Sequence, residues 1–237
     1  MLKTISRSLF SWVFPLQCQL CDKLLPVPED SGICQSCRNN IPFISPPHCF
    51  VCARTVSHGK QCGRCLHEKM HFDRVFACVF YGDNVKKLLH LFKFRRKKFL
   101  VRLFTGYMQK FATRHFGEIP VDLVIPVPMD NKRKNERGFN QAKLFSGDLA
   151  GHLAKKHASG ILRCLPPDKP QSFLLKNERK ANVRGRFFVT DASKLTGRDV
   201  LLVDDILTSG QTLSACAKAL KDAGARRVTA FAFARGI

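Results

Sequence analysis

The sequence contains few acidic residues. Its 237 residues include 18 Asp and Glu against 40 Lys and Arg, a formal net charge of +22. Apolar runs never exceed a few residues, so no membrane-spanning helix is predicted. The G-x-x-x-x-G-K-[ST] motif of P-loop nucleotide sites is also absent. Since 45% of the residues are hydrophobic, a disordered chain is excluded. The basic excess favours polyanionic partners such as phosphates, nucleic acid or an anionic membrane surface.

Cysteine is abundant, and its spacing is regular. Eight of the 11 cysteines form four C-x-x-C pairs. Two sulfurs three positions apart can reach one ion from a tight turn, and two pairs complete the tetrahedral four-sulfur shell of structural zinc. The pattern predicts two zinc ions; sequential pairing of the C-x-x-C motifs is favoured, and crossed pairing stays open. The predicted ligands are Cys18, Cys21, Cys34, Cys37, Cys49, Cys52, Cys62 and Cys65.

A disulfide framework is the alternative, and it would require a cleavable signal peptide. Residues 1–17 have only a short apolar stretch between Arg7 and Pro15, with no small-residue cleavage site after it. We therefore predict zinc, rather than disulfides or an iron–sulfur cluster, in a reducing cytoplasm. The remaining cysteines stand in apolar surroundings and are predicted to be buried core thiols. They are Cys78, Cys164 and Cys216.

Residue composition and hydrophobic patterning divide the chain into three parts. Residues 1–17 form a hydrophobic, basic stub, for which packing on a neighbouring segment is favoured over contact with a membrane surface. Residues 18–70 are cysteine-rich, with turns and short strands only, and residues 71–237 alternate between strand-like and helix-like segments. In this last part we predict strands at 74–81, 121–128, 161–165, 199–205 and 226–234, helices at 83–93, 98–116, 139–157 and 211–223, and a long loop at 166–186. Apolar strands alternating with helices predict a parallel sheet covered on both faces.

The segment VLLVDDILTSGQTLSACAKAL (200–220) carries the sharpest chemical signal. A buried strand is followed by Asp204 and Asp205 and then by a loop that opens a helix. Free backbone N–H groups and hydroxyls at a helix N-terminus suit a phosphate monoester, and paired carboxylates suit a vicinal diol, directly or through a divalent cation. Together they predict a ribose-5-phosphate site. A solvated acidic turn with an N-cap at Ser209 or Thr212 is the alternative.

This segment resembles the phosphoribosyl-pyrophosphate signature of type I phosphoribosyltransferases at every defined position. The C-x-x-C pairs, FDRVFACVFYGDNVKKLLHLFKF, PVPMDNKRKNERGFNQA, QSFLLKNERKANVRGRF and VLLVDDILTSG resemble, in that order, the ComF (ComFC) competence family, which GntX-type proteins share. The resemblance covers almost the whole chain. It implies an α/β fold, in which a double zinc ribbon precedes a type I phosphoribosyltransferase-like domain with a parallel sheet and helices on both faces.

The resemblance also implies roles for individual residues. The ribose hydroxyls would be held by Asp204 and Asp205, and the 5-phosphate by Thr208, Ser209, Gly210, Gln211 and Thr212. Pyrophosphate would face the turn after residues 121–128 and a loop at 171–186 that folds over the ligand. The pyrophosphate candidates are Arg137, Arg179, Lys180 and Arg184.

If the chain is an active transferase, pyrophosphate would be displaced at the anomeric carbon of ribose, with Mg²⁺ and basic side chains stabilising the charge that develops. Purine-salvage members of the superfamily carry an acid at the first position of the phosphate loop, where this sequence has Thr208. Purine salvage is therefore disfavoured. The sequence identifies no catalytic residue and no acceptor, and binding without transfer stays open.

A basic segment supplies a second candidate surface. Between Asp83 and Glu118 there is no acidic residue, and HLFKFRRKKF (90–99) interleaves aromatic and cationic side chains. Cations that follow a backbone and aromatics that stack on bases are typical of single-strand binding. The alternative is an amphipathic helix pair, with its Phe residues in the core and its cations in solvent. We favour burial in the core for Phe92, Phe94 and Phe99, and contact with phosphates for the cations. The DNA-contact candidates are Lys93, Arg95, Arg96, Lys97 and Lys98.

The resemblance implies a cytoplasmic competence protein, at most peripheral at the inner membrane, that handles incoming single-stranded DNA during natural transformation. Its implied partners are phosphoribosyl pyrophosphate with magnesium, single-stranded DNA and proteins of the competence machinery. Two alternatives stay open: an active phosphoribosyltransferase on an unknown acceptor in nucleotide metabolism, and a ligand-sensing regulator.

Overall fold

A computed structural model describes residues 17–25, 32–95, 97–117, 119–166 and 185–236. The helices are α1 (Gln35–Asn39), α2 (Asp83–Phe94), α3 (Leu100–His115), α4 (Asn131–Arg137), α5 (Gln141–His152) and α6 (Gln211–Asp222). The strands are β1 (Arg74–Phe80), β2 (Leu123–Pro126), β3 (Lys156–His157), β4 (Leu162–Cys164), β5 (Phe187–Val189), β6 (Asp199–Leu207) and β7 (Arg227–Arg235). In the described part of the chain, no helix is both long and apolar enough to cross a membrane.

Five strands form the predicted parallel sheet, in the order β1-β7-β6-β2-β3. Side chains alternate across it: in β7, Phe231 and Phe233 enter the core shared with α2, α3 and α5, whereas Ala230 and Ala232 face the core shared with α6. This period of two is what a strand imposes. Because both faces are covered by helices, the predicted fold class is confirmed.

Several element boundaries differ from the sequence prediction. The helix predicted over 139–157 ends at His152, because Ala154 adopts a left-handed φ of 52°, and residues 156–157 pair with β2 instead. The short helix α4 was not predicted. The strand predicted over 199–205 continues to Leu207, so both aspartates lie within β6.

Two more differences concern pairing. The strand at 161–165 is present as β4, but it pairs antiparallel with β5, which was not predicted, outside the main sheet. Where it is described, the cysteine-rich part contains α1, a 3-10 turn at Gly63–Cys65 and isolated bridges rather than short strands. Residues 1–16 and 167–184, which include most of the predicted stub and loop, lie outside the described residues.

The cysteine-rich part packs directly on the sheet domain. Ile33 and Ile41 join the core of α2 and α3, and Gly32, at φ +71°, lies so close to Phe99 that a Cβ would fall 2.3 Å from its ring. Farther along, Arg235 of β7 donates to the Cys52 carbonyl at 2.7 Å. Between these contacts, residues 42–44 run along the free edge of β1. The ribbon part therefore covers the sheet edge that would otherwise stay unpaired.

Candidate functional site

The eight paired cysteines gather into two clusters, as sequential pairing predicts. In each cluster the four Sγ atoms lie within 4.8 Å of one another, and the clusters are Cys18, Cys21, Cys34, Cys37 and Cys49, Cys52, Cys62, Cys65. A tetrahedral zinc with Zn–S bonds of about 2.3 Å places its sulfurs roughly 3.8 Å apart. The Sγ atoms of Cys21 and Cys34 are 3.6 Å apart, and those of Cys52 and Cys62 are 3.8 Å apart. Both clusters fit a closed structural zinc site.

A second site lies at the carboxyl ends of β2 and β6, where open parallel sheets bind ligands. It is a cavity of about 240 Å³. Residues that follow both strands line it, and so do residues from α2, α4, α5 and the β4–β5 pair. The charged residues in its lining are Lys93, Asp130, Arg133, Arg137, Arg186, Asp204 and Asp205.

The acidic pair of β6 lies in the lining of this cavity. The Asp205 N–H donates to Oδ1 of Asp204 at 2.8 Å, and Lys93 Nζ lies 2.6 Å from Oδ2 of Asp205. Burial, followed by the charge of Asp205, raises the pKa of Asp204 to about 7; the Asp205 N–H, Lys93 and Arg137 oppose this shift. Because the ionised form of Asp204 is destabilised, a cation or a hydroxyl donor that binds beside this carboxylate would stabilise it.

The phosphate loop follows the acidic pair directly. Gly210 has a φ of +76° at the start of α6, and a Cβ at this position would lie 3.5–3.8 Å from side-chain atoms of Met70, Leu207 and Phe72. Below the loop, the N–H of Gly236 donates to the Leu207 carbonyl at 2.7 Å. Of the five predicted loop residues, Thr208 and Thr212 line the cavity, and the N–H of Gln211 donates to Oγ of Ser209 at 3.5 Å.

Cationic groups face the acids across the cavity. Arg137, a predicted pyrophosphate candidate, lines it and donates to Oε1 of Gln141 at 3.3 Å. Arg186 lines it too, 3.8 Å from the carboxylate of Asp130. Gln141 is fully buried, and its Nε2 has no hydrogen-bond partner among the described residues. A buried donor left unpaired in a cavity lining is a place where a ligand oxygen would be stabilised.

Three predicted pyrophosphate candidates, Arg179, Lys180 and Arg184, lie outside the described residues, and so does the DNA candidate Arg96. The other DNA candidates lie in two different places. Lys93 lines the cavity and contacts Asp205, while Arg95, Lys97 and Lys98 are exposed. Among the aromatics, only Phe92 is in the core as favoured; Phe94 and Phe99 are 58% and 41% exposed.

Sequence reasoning missed several cavity residues. Lys93 lies at the end of α2, which follows β1, and Asp130 caps α4 just after β2. Asp130 could have been predicted, because it follows a parallel strand at the same edge of the sheet as the acidic pair. Cys164 was predicted to be a core thiol, but it is only partly buried and lines the cavity, because β4 lies beside the sheet rather than in it. Cys78 and Cys216 are buried as predicted.

Comparison with known proteins agrees with this arrangement. Residues 9–66 match the double zinc ribbon domain, and residues 144–236 match the phosphoribosyl transferase domain. Competence protein F of Haemophilus influenzae is 28% identical over 94% of this chain and 98% of its own length. Competence protein ComFC of Bacillus subtilis is 27% identical over 94% of this chain and 96% of its own.

DNA utilization protein YhgH of Escherichia coli K12 is 26% identical over 90% of this chain and 99% of its own length. Among solved structures, adenine phosphoribosyltransferase of Saccharomyces cerevisiae is 16% identical over 61% of this chain and 72% of that one, with a TM-score of 0.40. The chain therefore combines a double zinc ribbon domain with a phosphoribosyl transferase domain that follows it, and it is similar to Competence protein F and Competence protein ComFC over nearly its whole length.

Proposed function

We propose that this chain is a competence protein that handles incoming single-stranded DNA and binds phosphoribosyl pyrophosphate with magnesium in the cavity at the ends of β2 and β6. The observation that carries the ligand proposal is the acidic pair of β6 beside a phosphate loop, with Arg137 and Arg186 facing it. A vicinal diol, a 5-phosphate and a pyrophosphate on one ribose match these three groups.

In this arrangement, a different set of residues binds each part of the ligand. Asp204 and Asp205 accept hydrogen bonds from the two ribose hydroxyls, and Thr208 and Thr212 approach the 5-phosphate at the N-terminus of α6. Arg137 and Arg186 are placed for the pyrophosphate, to which Arg179, Lys180 and Arg184 are further candidates. Carboxylate oxygens are suitable Mg²⁺ ligands together with substrate phosphates, and a bound Mg²⁺ would neutralise charge on pyrophosphate.

Lys93 has a defined part in ligand binding. Its ammonium neutralises Asp205 in the free protein, so two adjacent carboxylates can coexist in a partly buried cavity. When the ribose hydroxyls or Mg²⁺ approach Asp205, this ion pair must open or be shared. The side chain of Lys93 therefore serves as the counter-ion of Asp205 rather than as a DNA contact.

The DNA part of the proposal is supported by the names of full-length relatives, which describe competence and DNA utilization in those proteins, and by the +22 charge. We propose the same cytoplasmic setting for this chain, peripheral at most to the inner membrane, with competence-machinery proteins as partners. Salt-dependent binding of single strands is the expected behaviour.

Calorimetry with phosphoribosyl pyrophosphate and Mg²⁺ tests the ligand assignment. The double variant Asp204→Ala and Asp205→Ala removes both diol acceptors and should weaken binding by about 100-fold or more, since each lost charge-assisted hydrogen bond costs about 1.5–3 kcal/mol. The matched control is Asp191→Ala with Asp222→Ala, which removes two carboxylates outside the cavity. Unchanged affinity in the first variant would show that the site is elsewhere.

A transferase is the competing function, since the cavity would place the anomeric carbon of a bound ligand between acids and cations. In that reaction a nucleophile attacks the anomeric carbon, the bond from that carbon to pyrophosphate oxygen breaks, and pyrophosphate leaves with the electron pair. An isotope-release assay with a metabolite extract separates the two functions. Acceptor-dependent release of pyrophosphate would favour the enzyme, and ligand binding without release would favour a sensor or DNA-handling role.

A further inference from the structure

A second cavity, which shares no lining residue with that of the acidic pair, lies between the first zinc ribbon and α3. It has a volume of about 430 Å³ and is lined by residues 35–45 on one side and by the C-terminal half of α3 on the other. That is within the range of sites for small ligands or single nucleotides. The cavity exists only because the ribbon packs beside the helix, so neither segment alone indicates it. We call it the ribbon groove.

The ribbon groove is cationic. Arg38, Lys110 and Arg114 line it, and no acidic residue does among those that the structure describes. The two segments that build it belong to stretches of sequence, 32–67 and 84–117, that contain no Asp or Glu. Burial, followed by the charge of Arg114, lowers the pKa of His115 in the same lining, as expected in a positive field. An anion is therefore the complementary occupant.

The groove also presents an aromatic ring. Phe43 is 46% exposed and stands edge-on to Tyr107, with ring centroids 5.0 Å apart. Its backbone is fixed where residues 42–44 hydrogen-bond along the edge of β1. The Tyr107 hydroxyl is buried and has no hydrogen-bond partner among the described residues. A rigid, half-exposed ring beside cations is the combination that stacks unpaired bases and holds their phosphates.

We propose that the ribbon groove binds single-stranded DNA, with a base stacked on Phe43 and the flanking phosphates on Arg38, Lys110 and Arg114. This inference rests on the proposed DNA-handling function and gives it a place on the molecule. Duplex DNA fits poorly, because its bases are already stacked and only its backbone would meet the cations. The first zinc site then has a functional consequence: it holds α1 and Phe43 against α3.

Fluorescence anisotropy with a labelled oligothymidine tests the groove on the full zinc-loaded chain. Lys110→Gln with Arg114→Gln should weaken binding about 10-fold at low salt, and the slope of log affinity against log salt should fall by roughly 1.4, about 0.7 for each lost phosphate contact. Lys155→Gln with Lys156→Gln is the charge-matched control, since these exposed lysines lie at the opposite edge of the sheet. The control should keep most of the affinity.

The aromatic contact is tested separately. Phe43→Leu keeps the residue apolar and should weaken binding about 10-fold, because stacking on one base is lost, whereas Phe43→Tyr should bind as the unsubstituted protein does. Zinc content and melting temperature should be unchanged in both variants. Equal affinity of Phe43→Leu and the unsubstituted chain would overturn the stacking contact.

The outcomes separate this inference from the function on which it rests. If the unsubstituted chain binds no single-stranded DNA, both fail. If it binds and the groove variants bind equally well, only the groove is wrong; loss confined to Arg95→Gln, Lys97→Gln and Lys98→Gln would place the DNA on that segment instead. Duplex bound as tightly as single strands would also contradict the groove. Binding of phosphoribosyl pyrophosphate should be unaffected in every groove variant.

Discussion

The cysteine-rich part and the sheet domain are held together by different means. The sheet domain buries two apolar layers, one on each face of its five strands. Around the second cysteine cluster, by contrast, the described residues contain one small buried group, Cys49, Val51 and Cys65, with a few partly buried side chains packed against it. So little apolar surface cannot offset the entropy of ordering the chain. Metal ligation therefore supplies most of the stability around the second cysteine cluster, whereas hydrophobic burial stabilises the sheet domain, whose core also includes Ile33 and Ile41.

Removal of zinc should give the largest effect. A strong chelator should extract two zinc ions per chain and unfold the ribbon part, because zinc binding contributes about 10–16 kcal/mol to the folding of such sites. The sheet domain should keep its helical circular dichroism. Limited proteolysis followed by mass spectrometry would locate the first cuts, which should fall within residues 18–70. Equal protection of the ribbon part with and without zinc would contradict the comparison.

A core substitution should give the converse result. Phe233 is buried against Phe104 and Phe145, so Phe233→Ala should lower the free energy of unfolding of the sheet domain by about 3–5 kcal/mol while zinc content stays the same. In the ribbon part, Val51→Ala should cost about 1 kcal/mol or less by the same logic, since few neighbours surround it. Urea titration with parallel zinc analysis measures both, and equal losses would remove the distinction.

The acidic pair should give a smaller, pH-dependent effect. In the unfolded chain Asp204 titrates near 3.8, but in the folded protein its pKa is about 7. Below about pH 4 the burial of Asp204 therefore costs no stability, because the carboxyl group is protonated in both states. As the pH rises from 4 towards 7, the unfolded chain releases the proton more readily than the folded protein, so the free energy of unfolding falls. Asp204→Asn removes this cost and should stabilise the ligand-free protein by about 1–3 kcal/mol at pH 8, with little gain at pH 4.

Thermal unfolding at several pH values checks the sign of that effect. Asp222→Asn is the control, because Asp222 is exposed and paired only with Lys218 among the described residues. A gain for Asp204→Asn that stays constant between acid and alkaline pH would mean that desolvation of Asp204 is not its source. The same variant should bind phosphoribosyl pyrophosphate more weakly, so stability and ligand binding oppose each other at this position.

Local patterns in the sequence account for most of the sheet and for part of the site. Apolar runs predict β1, β2, β6 and β7 because strands buried on both faces must be apolar throughout. Two polar residues, Lys156 and His157, form β3 only because the edge of β2 lies beside them. The left-handed turn at Ala154 has no sequence signal either. Such elements depend on their neighbours in space, so short-range patterns cannot reveal them.

The same distinction divides the site residues. Asp204, Asp205 and the phosphate loop are contiguous, and their chemistry can be interpreted from the sequence. Lys93 meets Asp205 across more than a hundred intervening residues, and periodicity alone places it on a solvated basic helix. The ribbon groove is the extreme case, because Phe43 and Lys110 come from different domains. Residues brought together by domain packing require the fold to be known.

The most direct test of the central claim is a crystal structure of the zinc-loaded chain with phosphoribosyl pyrophosphate and Mg²⁺. We expect the ribose hydroxyls on Asp204 and Asp205, the 5-phosphate at Thr208 and Thr212, and the pyrophosphate beside Arg137 and Arg186. Lys93 should no longer be paired with Asp205 alone. A ligand bound elsewhere on the chain would contradict this assignment. So would a ligand in the cavity that does not touch Asp204 or Asp205 while Asp205 keeps its contact with Lys93.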